Sequence, residues 1–383
     1  MDEYCFKSKN LYNYANYIIR QEFINNGKWI HYNELFRLVK ESNPYKNIGS
    51  NVGQGTLRIL DKMWKSFFVA IKDWARYPNK YLGRPKIPKY KAKGGRFVLS
   101  LDSNKVKLKN GYVYFAWKPF KKFNNLFRTN AKDRILQCRF IPRCREYIME
   151  IVYEIETPDI SKNSDRIAAI DMGVNNFITM VNNIGENPIA VKGGIIKSIN
   201  QFYNKQKANI QSELKKVNDK EWSKKLQKFT NKRYEMIKYQ MHCISKYVVD
   251  WCVLYGIDTL VVGYNNEWKQ KKQGLQNFTY IPYELFIKML SYKCANNGIK
   301  FIENEESYTS GTSFLDNEDP IKENYRKERR VYRGLFIANC GKKINADVNG
   351  AYQIMKKVFP KIFINGIKGA GLHPTIINLA CVK

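Results

Sequence analysis

Residues 166–193 read RIAAIDMGVNNFITMVNNIGENPIAVKG, and this stretch decides the fold. Three short apolar runs, near 167–172, 177–183 and 188–193, are separated by polar turns too short for a helix. They predict three meandering antiparallel strands. The first run carries one carboxylate, Asp171, at its end. A charged side chain among apolar strand residues is costly unless a cation or donor compensates it.

Working outward, helical periodicity spans about 199–256, a strand is predicted at 258–263, a helix near 282–297, a strand at 299–305 and a helix at 346–358. Three meandering strands followed by alternating helices and strands describe a ribonuclease H-like α/β sheet. In the helical insertion, Ile237, Met241, Ile244, Val248, Trp251 and Tyr255 recur at spacings of four and three, the stripe of a packed helical hairpin. The lysines at 215, 216, 224, 225 and 228 fall on its polar positions.

Two further acids end predicted elements: Glu306 in ENEESYTS, after the strand at 299–305, and Asp347 in NADVNGAYQI, opening the last helix. A helix N-terminus favours an anion. Carboxylates gathered in one pocket repel unless cations bridge them, and magnesium takes a few carboxylate oxygens together with substrate phosphates. The pattern points to two-metal phosphodiester hydrolysis, with Asp171 bridging two Mg²⁺ ions and Glu306 and Asp347 anchoring one each. The three histidines, at 31, 242 and 373, lie far from these acids in sequence.

Composition supports a polyanionic partner. The 383 residues carry 66 Lys and Arg against 34 Asp and Glu, a net charge of +32, with 14% aromatic residues to stack on bases. The eight cysteines include no CxxC pair, and no apolar run is long enough to cross a bilayer, so the reading is a reduced, cytoplasmic protein without a membrane partner.

Before the sheet, residues 1–84 show helical patterning and predict a small bundle, with Lys7 and Lys9 as candidate nucleic-acid contacts. At YLGRPKIPKYKAKGGRF (81–97) prolines and glycines break the helix, and the cations Arg84, Lys86, Lys89 and Lys91 predict a basic linker. Residues 97 to about 157 then alternate in short runs, with Asn110-Gly111 as a hairpin turn, and predict a small β-barrel. The fold class expected is thus multidomain α+β: a helical recognition bundle at 1–84, a wedge-like β-barrel at 85–165 and an α/β nuclease domain with a helical insertion at 166–383.

These motifs resemble the TnpB family of transposon-encoded proteins, relatives of Fanzor proteins and type V CRISPR effectors. IDMGVNNFIT (170–179) is similar to the first RuvC motif, YTSGTSF (308–314) to the segment before the family's zinc ribbon, INADVNGAYQI (344–354) to the third RuvC motif, and GRPKIPKYK (83–91) to the family's Pro-rich basic region. The resemblance implies an RNA-guided DNA endonuclease that binds a transposon-derived guide RNA and target double-stranded DNA and cuts at one RuvC site with Mg²⁺. A nuclease-dead, RNA-guided repressor is the alternative, and a DDE-type transposase a third reading.

Two departures qualify the likeness. The fourth strand, TLVVGYNN (259–266), has Gly263 where many members place a Glu. Glu306, at the end of the neighbouring strand, resembles a rearranged acid, with Glu305 next and Glu267 a weaker third. In the ribbon, about 307–343, Ser313, Asp316 and Ile337 stand where three cysteines belong, leaving only Cys340. No zinc is expected, since one thiol cannot build a four-ligand site. Hydrogen bonds and the packing of Phe314, Leu315, Leu335 and Phe336 should hold the loop instead. Its basic run RKERRVYR (326–333) places Arg329, Arg330 and Arg333 as expected nucleic-acid contacts, Arg333 resembling an Arg that precedes the family's third motif.

Overall fold

The computed structural model describes residues 1–131, 134–144, 146–159, 165–265, 280–332, 334–363 and 371–378. It divides into two compact units, Met1–Ile155 and Glu156–Lys383.

In the first unit α1 (Asp2–Asn26), α2 (Tyr32–Val39), α3 (Asn43–Lys46) and α4 (Ser50–Arg76) precede five short strands. These are β1 (Leu99–Asp102), β2 (Val106–Lys109), β3 (Tyr112–Phe115), β4 (Ile135–Arg143) and β5 (Glu146–Tyr153). The Asn110-Gly111 turn joins β2 to β3 with φ values of 50° and 76°, as a two-residue hairpin requires. The expected barrel is corrected, however: among the described residues β1, β4 and β5 form one three-stranded antiparallel sheet and β2–β3 a separate ribbon. Closure is replaced by packing. Phe115, Phe120 and Phe140 fill the space where further strand pairing would have been, with the Phe120 and Phe140 rings 5.2 Å apart. The helices and strands of this unit share one core, from Leu11 and Trp64 to Leu101 and Phe140.

The basic stretch expected as a linker is an extended strap laid along α1. Tyr12 donates to the Lys89 carbonyl (3.0 Å), Asn13 to that of Lys91 (2.9 Å), and Asn16 and Arg20 both to that of Pro88 (3.0 Å). An extended segment without a partner strand must satisfy its carbonyls somehow, and α1 supplies side-chain donors. Asn16 is fully buried, its oxygen accepting from the Trp64 indole at 3.0 Å.

In the second unit β6 (Ile167–Met172), β7 (Asn176–Asn182) and β8 (Ile189–Lys192) form the predicted meander. The helical hairpin α5 (Gly194–Asn218) and α6 (Lys224–Leu254) follows, then β9 (Thr259–Tyr264), α7 (Tyr283–Asn296) and β10 (Lys300–Glu305). A small ribbon of β11 (Leu335–Ile337) and β12 (Lys343–Asn345) leads into α8 (Ala346–Val358). The last strand, β13 (Thr375–Ile377), gives the tail a place that its sequence did not reveal, pairing parallel to β8. The six-stranded sheet runs β10-β9-β6-β7-β8-β13, with β9 parallel to both β6 and β10.

Strand alternation sorts side chains onto two faces. Ala168, Ile170 and Met172 join the core formed with α6 and α7, where the heptad stripe Ile237, Met241, Ile244 and Val248 is buried as predicted. Ile167 and Ala169 join the opposite core, with Tyr352, Ile354 and Met355 of α8. Asp171 follows Ala169 by two residues and therefore faces α8.

Candidate active site

The end of β6, the residues after β10 and the start of α8 border one cavity of about 810 Å³, lined by Asp171, Glu306 and Asp347 together with Asn176, Asn265, Glu305, Tyr308, Tyr325 and Arg330. The fold positions each acid separately. Asp171 is the fifth residue of β6, opposite Thr179. Gly350 lets α8 approach it closely: a Cβ there would stand 3.1 Å from Asp171 Oδ2. Asp347 lies in the first turn of α8, whose N-cap Asn345 accepts from the backbone N–H groups of Asp347 (3.0 Å) and Val348 (3.2 Å).

Glu305 and Glu306 separate as strand alternation requires. Glu305 is exposed and pairs with Lys357 at 3.3 Å, whereas Glu306, whose N–H donates to the Tyr264 carbonyl, turns inward. Gly263 makes room for it: a Cβ there would lie 2.4 Å from Ile354 Cδ1 and 3.2 Å from Glu306 Oε2. The position that in many resembling proteins carries the acid is thus occupied in space by Glu306. Glu267 lies outside the described residues.

Electrostatics mark the cavity as incomplete. Burial, then the charges of Glu306 and Asp347, push the Asp171 carboxyl well above the usual range, and Arg330 opposes them. Burial raises Glu306 to about 7, partly offset by a hydrogen bond from Asn265. Its Oε2 is buried with no hydrogen-bond partner among the described residues. Such an oxygen is the kind of acceptor a hard cation satisfies. Asp347 is differently placed, accepting from Asn176 Nδ2 at 2.8 Å and from Arg330 Nη2 at 3.0 Å. Among the described residues no group of three or more His, Cys, Asp or Glu side chains is arranged to hold a metal ion as it stands. The acids share a cavity, and Arg330 and Asn176 hold the third one.

Sequence reasoning missed Asn176, which orders Asp347 while accepting from Lys192 Nζ at 3.0 Å. The Asn-Asn pair closing the β6–β7 turn was its only signal. Several of the expected nucleic-acid contacts have partners within the protein. Lys9 is 4% exposed, its ammonium donating to the Lys93 carbonyl at 2.7 Å, so burial has withdrawn it from the surface. Arg329 is held by both oxygens of Glu318, at 2.7 and 2.6 Å. Lys7 is paired with Glu3 at 2.6 Å, and Lys91 sits 5.3 Å from the Tyr12 and Phe97 ring centroids. Arg84, Lys86 and Lys89 are exposed, and Arg333 lies outside the described residues.

Where a zinc ribbon was thought degenerate, hydrogen bonds join the two halves of the loop. Asp316 accepts from the N–H groups of Asn339 (2.7 Å) and Cys340 (3.1 Å), and Glu318 Oε2 accepts from that of Ser313 at 2.8 Å. Phe314 stacks on Tyr352 at 4.6 Å, and Phe336 is fully buried.

Comparison with known proteins shows what the chain is similar to. The OrfB_IS605 family profile, described as a probable transposase, matches residues 150–269, and the TNB domain of Cas12f1-like proteins matches residues 283–354. A TnpB-like protein, ORF457 of Acidianus two-tailed virus, is 22% identical over 394 residues, covering 94% of this chain and 83% of the relative. A solved structure of a Cas12f1–sgRNA–target DNA complex superposes with a TM-score of 0.60 at 13% identity, covering 92% of this chain and 81% of that one. The likeness in sequence is to TnpB-like proteins. The likeness to Cas12f1 is one of fold. The first profile ends five residues after β9, outside the described residues, and the second spans α7, β10, the ribbon and most of α8. Among the described residues no helix is long and apolar enough to cross a membrane.

Proposed function

We propose that this protein is an RNA-guided DNA endonuclease of RuvC type, its second unit a ribonuclease H-like nuclease. The observation that carries the proposal is the cavity at the sheet edge where Asp171, Glu306 and Asp347 come together from three separate elements. The family supports a nuclease role guided by RNA, and the related Cas12f1 is seen with sgRNA and target DNA. A net charge of +32 suits a guide RNA and double-stranded DNA as partners, recognised through their backbones. We assign residues 1–84 to recognition, 85–165 to a wedge and 166–383 to the nuclease.

The donor set fits Mg²⁺. Asp171, Glu306 and Asp347 are hard oxygen ligands, two have raised carboxyls, and Glu306 Oε2 lacks a partner among the described residues. When bound there, two Mg²⁺ ions would supply an activated water and charge stabilisation at the leaving 3′ oxygen. The chain's own residues perform the rest. Asn176 and the N-cap Asn345 keep the first turn of α8 aimed at the cavity, and Arg330 pairs with Asp347. Once released from that carboxylate, its guanidinium is within the cavity to take a phosphate. The exposed Arg84, Lys86 and Lys89 of the strap offer a basic track in the first unit.

The test is to purify the protein with its bound RNA, sequence that RNA, and incubate the complex with matched plasmid and Mg²⁺. Guided strand breaks abolished by Asp171→Ala, with RNA retained, are expected. Binding without breaks would leave the repressor reading, and strand transfer without RNA would favour a transposase.

A further inference from the structure

The loop after Glu306 contains a feature that the acids do not require. Tyr308 has φ +69°, the left-handed region, where a bulky side chain is strained and a Gly is not. The turn imposes this conformation from both sides. The N–H and hydroxyl of Thr309 both donate to the Glu306 carbonyl, at 3.3 and 2.8 Å, and the Thr312 hydroxyl donates to the Tyr308 carbonyl at 2.9 Å. Both threonines are buried. Core packing does not explain the tyrosine, because its side chain remains 40% exposed on the wall of the acidic cavity.

A second ring meets it. Tyr325 also lines the cavity, with its centroid 6.1 Å from that of Tyr308 and its plane at 72°. The backbone is pared away to seat it: a Cβ on Gly311 would fall 2.5 Å from Tyr325 Cε2. The Arg326 N–H, donating to the Gly311 carbonyl at 2.9 Å, fixes the two segments together. Strained backbone retained by buried hydrogen bonds is a mark of function when the strained residue displays its side chain.

We propose that Tyr308 and Tyr325 form a stacking site for an unpaired nucleobase of the DNA strand whose phosphodiester enters the cavity. This rests on the nuclease reading of the acids and adds a selection rule to it. The exposed Tyr308 ring offers a surface for a base, Tyr325 meets it at a steep angle, and Arg330 in the same cavity suits the adjoining phosphate. A base inside a duplex has both faces covered by its neighbours, so the site favours a strand already unstacked. Stacking tolerates any base, so the preference is for single-strandedness rather than sequence.

Three variants and two substrates test this. Tyr308→Gly suits the positive φ and so keeps the turn while deleting the ring, Tyr308→Phe keeps the ring, and Tyr325→Leu removes the second ring. In Mg²⁺-dependent cleavage by the RNA-loaded complex, Tyr308→Gly is expected to raise the half-saturating DNA concentration about ten-fold, with the saturated rate changed less than about two-fold. Tyr308→Phe should resemble wild type, and Tyr325→Leu should fall between. Replacing the nucleotide beside the scissile bond with an abasic one should cost wild type the same factor and cost Tyr308→Gly nothing further. Multiplying effects of the Gly variant and the abasic substrate, or no effect of either, would overturn the site. Binding is read independently by scanning 2-aminopurine along the strand in Mg²⁺-free buffer, where one position should be quenched in wild type and Tyr308→Phe but not in Tyr308→Gly. Absence of any Tyr308-dependent position also overturns the site. Wild-type protein that shows this quenching yet never cuts refutes the nuclease reading and leaves the stacking site standing.

Discussion

Gly263→Ala adds one methyl group where β9 faces α8, and its effect can be worked from the coordinates. The new carbon would lie 2.4 Å from Ile354 Cδ1, 3.2 Å from Ile354 Cγ1 and 3.2 Å from Glu306 Oε2. Non-bonded carbons are comfortable at about 3.5–4.0 Å, so the end of Ile354 must withdraw by roughly 1 Å or more. Ile354 is fully buried beside Val348, Ala351 and Met355, and overpacking of this kind costs about 1–3 kcal/mol. For a unit of this size that lowers the melting temperature by roughly 2–4 °C per kcal/mol. The Glu306 carboxylate must give as well, and a misplacement on the order of 1 Å at a reacting centre can reduce rate about 10²-fold. Calorimetry and single-turnover cleavage of the RNA-loaded protein read the two effects separately. A variant that melts and cuts like wild type would refute the packing argument.

Four shorter predictions accompany it. Asn176→Ala should leave folding within about 1 kcal/mol but reduce cleavage at least ten-fold, since Asp347 loses its neutral donor; an unchanged rate would remove Asn176 from the site. Glu306 holds its proton up to about pH 7 in the folded chain against an ordinary 4.5, so its contribution to stability is present below about pH 4.5 and lost as pH rises through 7, a cost on the order of 3 kcal/mol. In chelated buffer Glu306→Gln should therefore melt above wild type at pH 8 and alike at pH 4.5, and equal melting at both would contradict the burial of Glu306. A zinc chelator should leave melting unaltered, whereas Asp316→Ala should cost about 1 kcal/mol by orphaning the Asn339 and Cys340 N–H groups; loss of structure on chelation would restore a metal to the ribbon. Glu318→Gln should destabilise the second unit by about 1–3 kcal/mol through Arg329, part-buried at 17% side-chain exposure, with thermal melts as the measure.

The α/β sheet was readable because its strands are short, apolar and bounded by turns. Ile167–Met172, Asn176–Asn182 and Lys300–Glu305 fall within a residue or two of their predicted limits, and α8 spans the predicted 346–358. That Asp171 faces α8 became clear only from the structure, where Ile167 and Ala169 pack on that helix. The barrel was misread because alternation shows that a strand has two faces but says nothing of what covers them, and in the first unit helices and phenylalanines do so. The partners of Lys9 and Arg329 were hidden for a related reason. Their charge is visible in sequence, while the Lys93 carbonyl and Glu318 that claim it are distant along the chain. Tyr308 gave no signal at all, since a strained φ belongs to the turn and not to the residue type.

The strap from Arg84 to Arg96 alters how mutagenesis of the first unit should be interpreted. Its lysines owe their display to neutral side chains on a neighbouring helix, Asn13, Asn16 and Tyr12, which grip its main chain. Replacing one of these uncharged residues would let the whole row of cations drift while every positive charge stayed in place. An alanine scan would then score an asparagine that never touches a phosphate as though it were a contact, and the error would grow with the number of anchors removed.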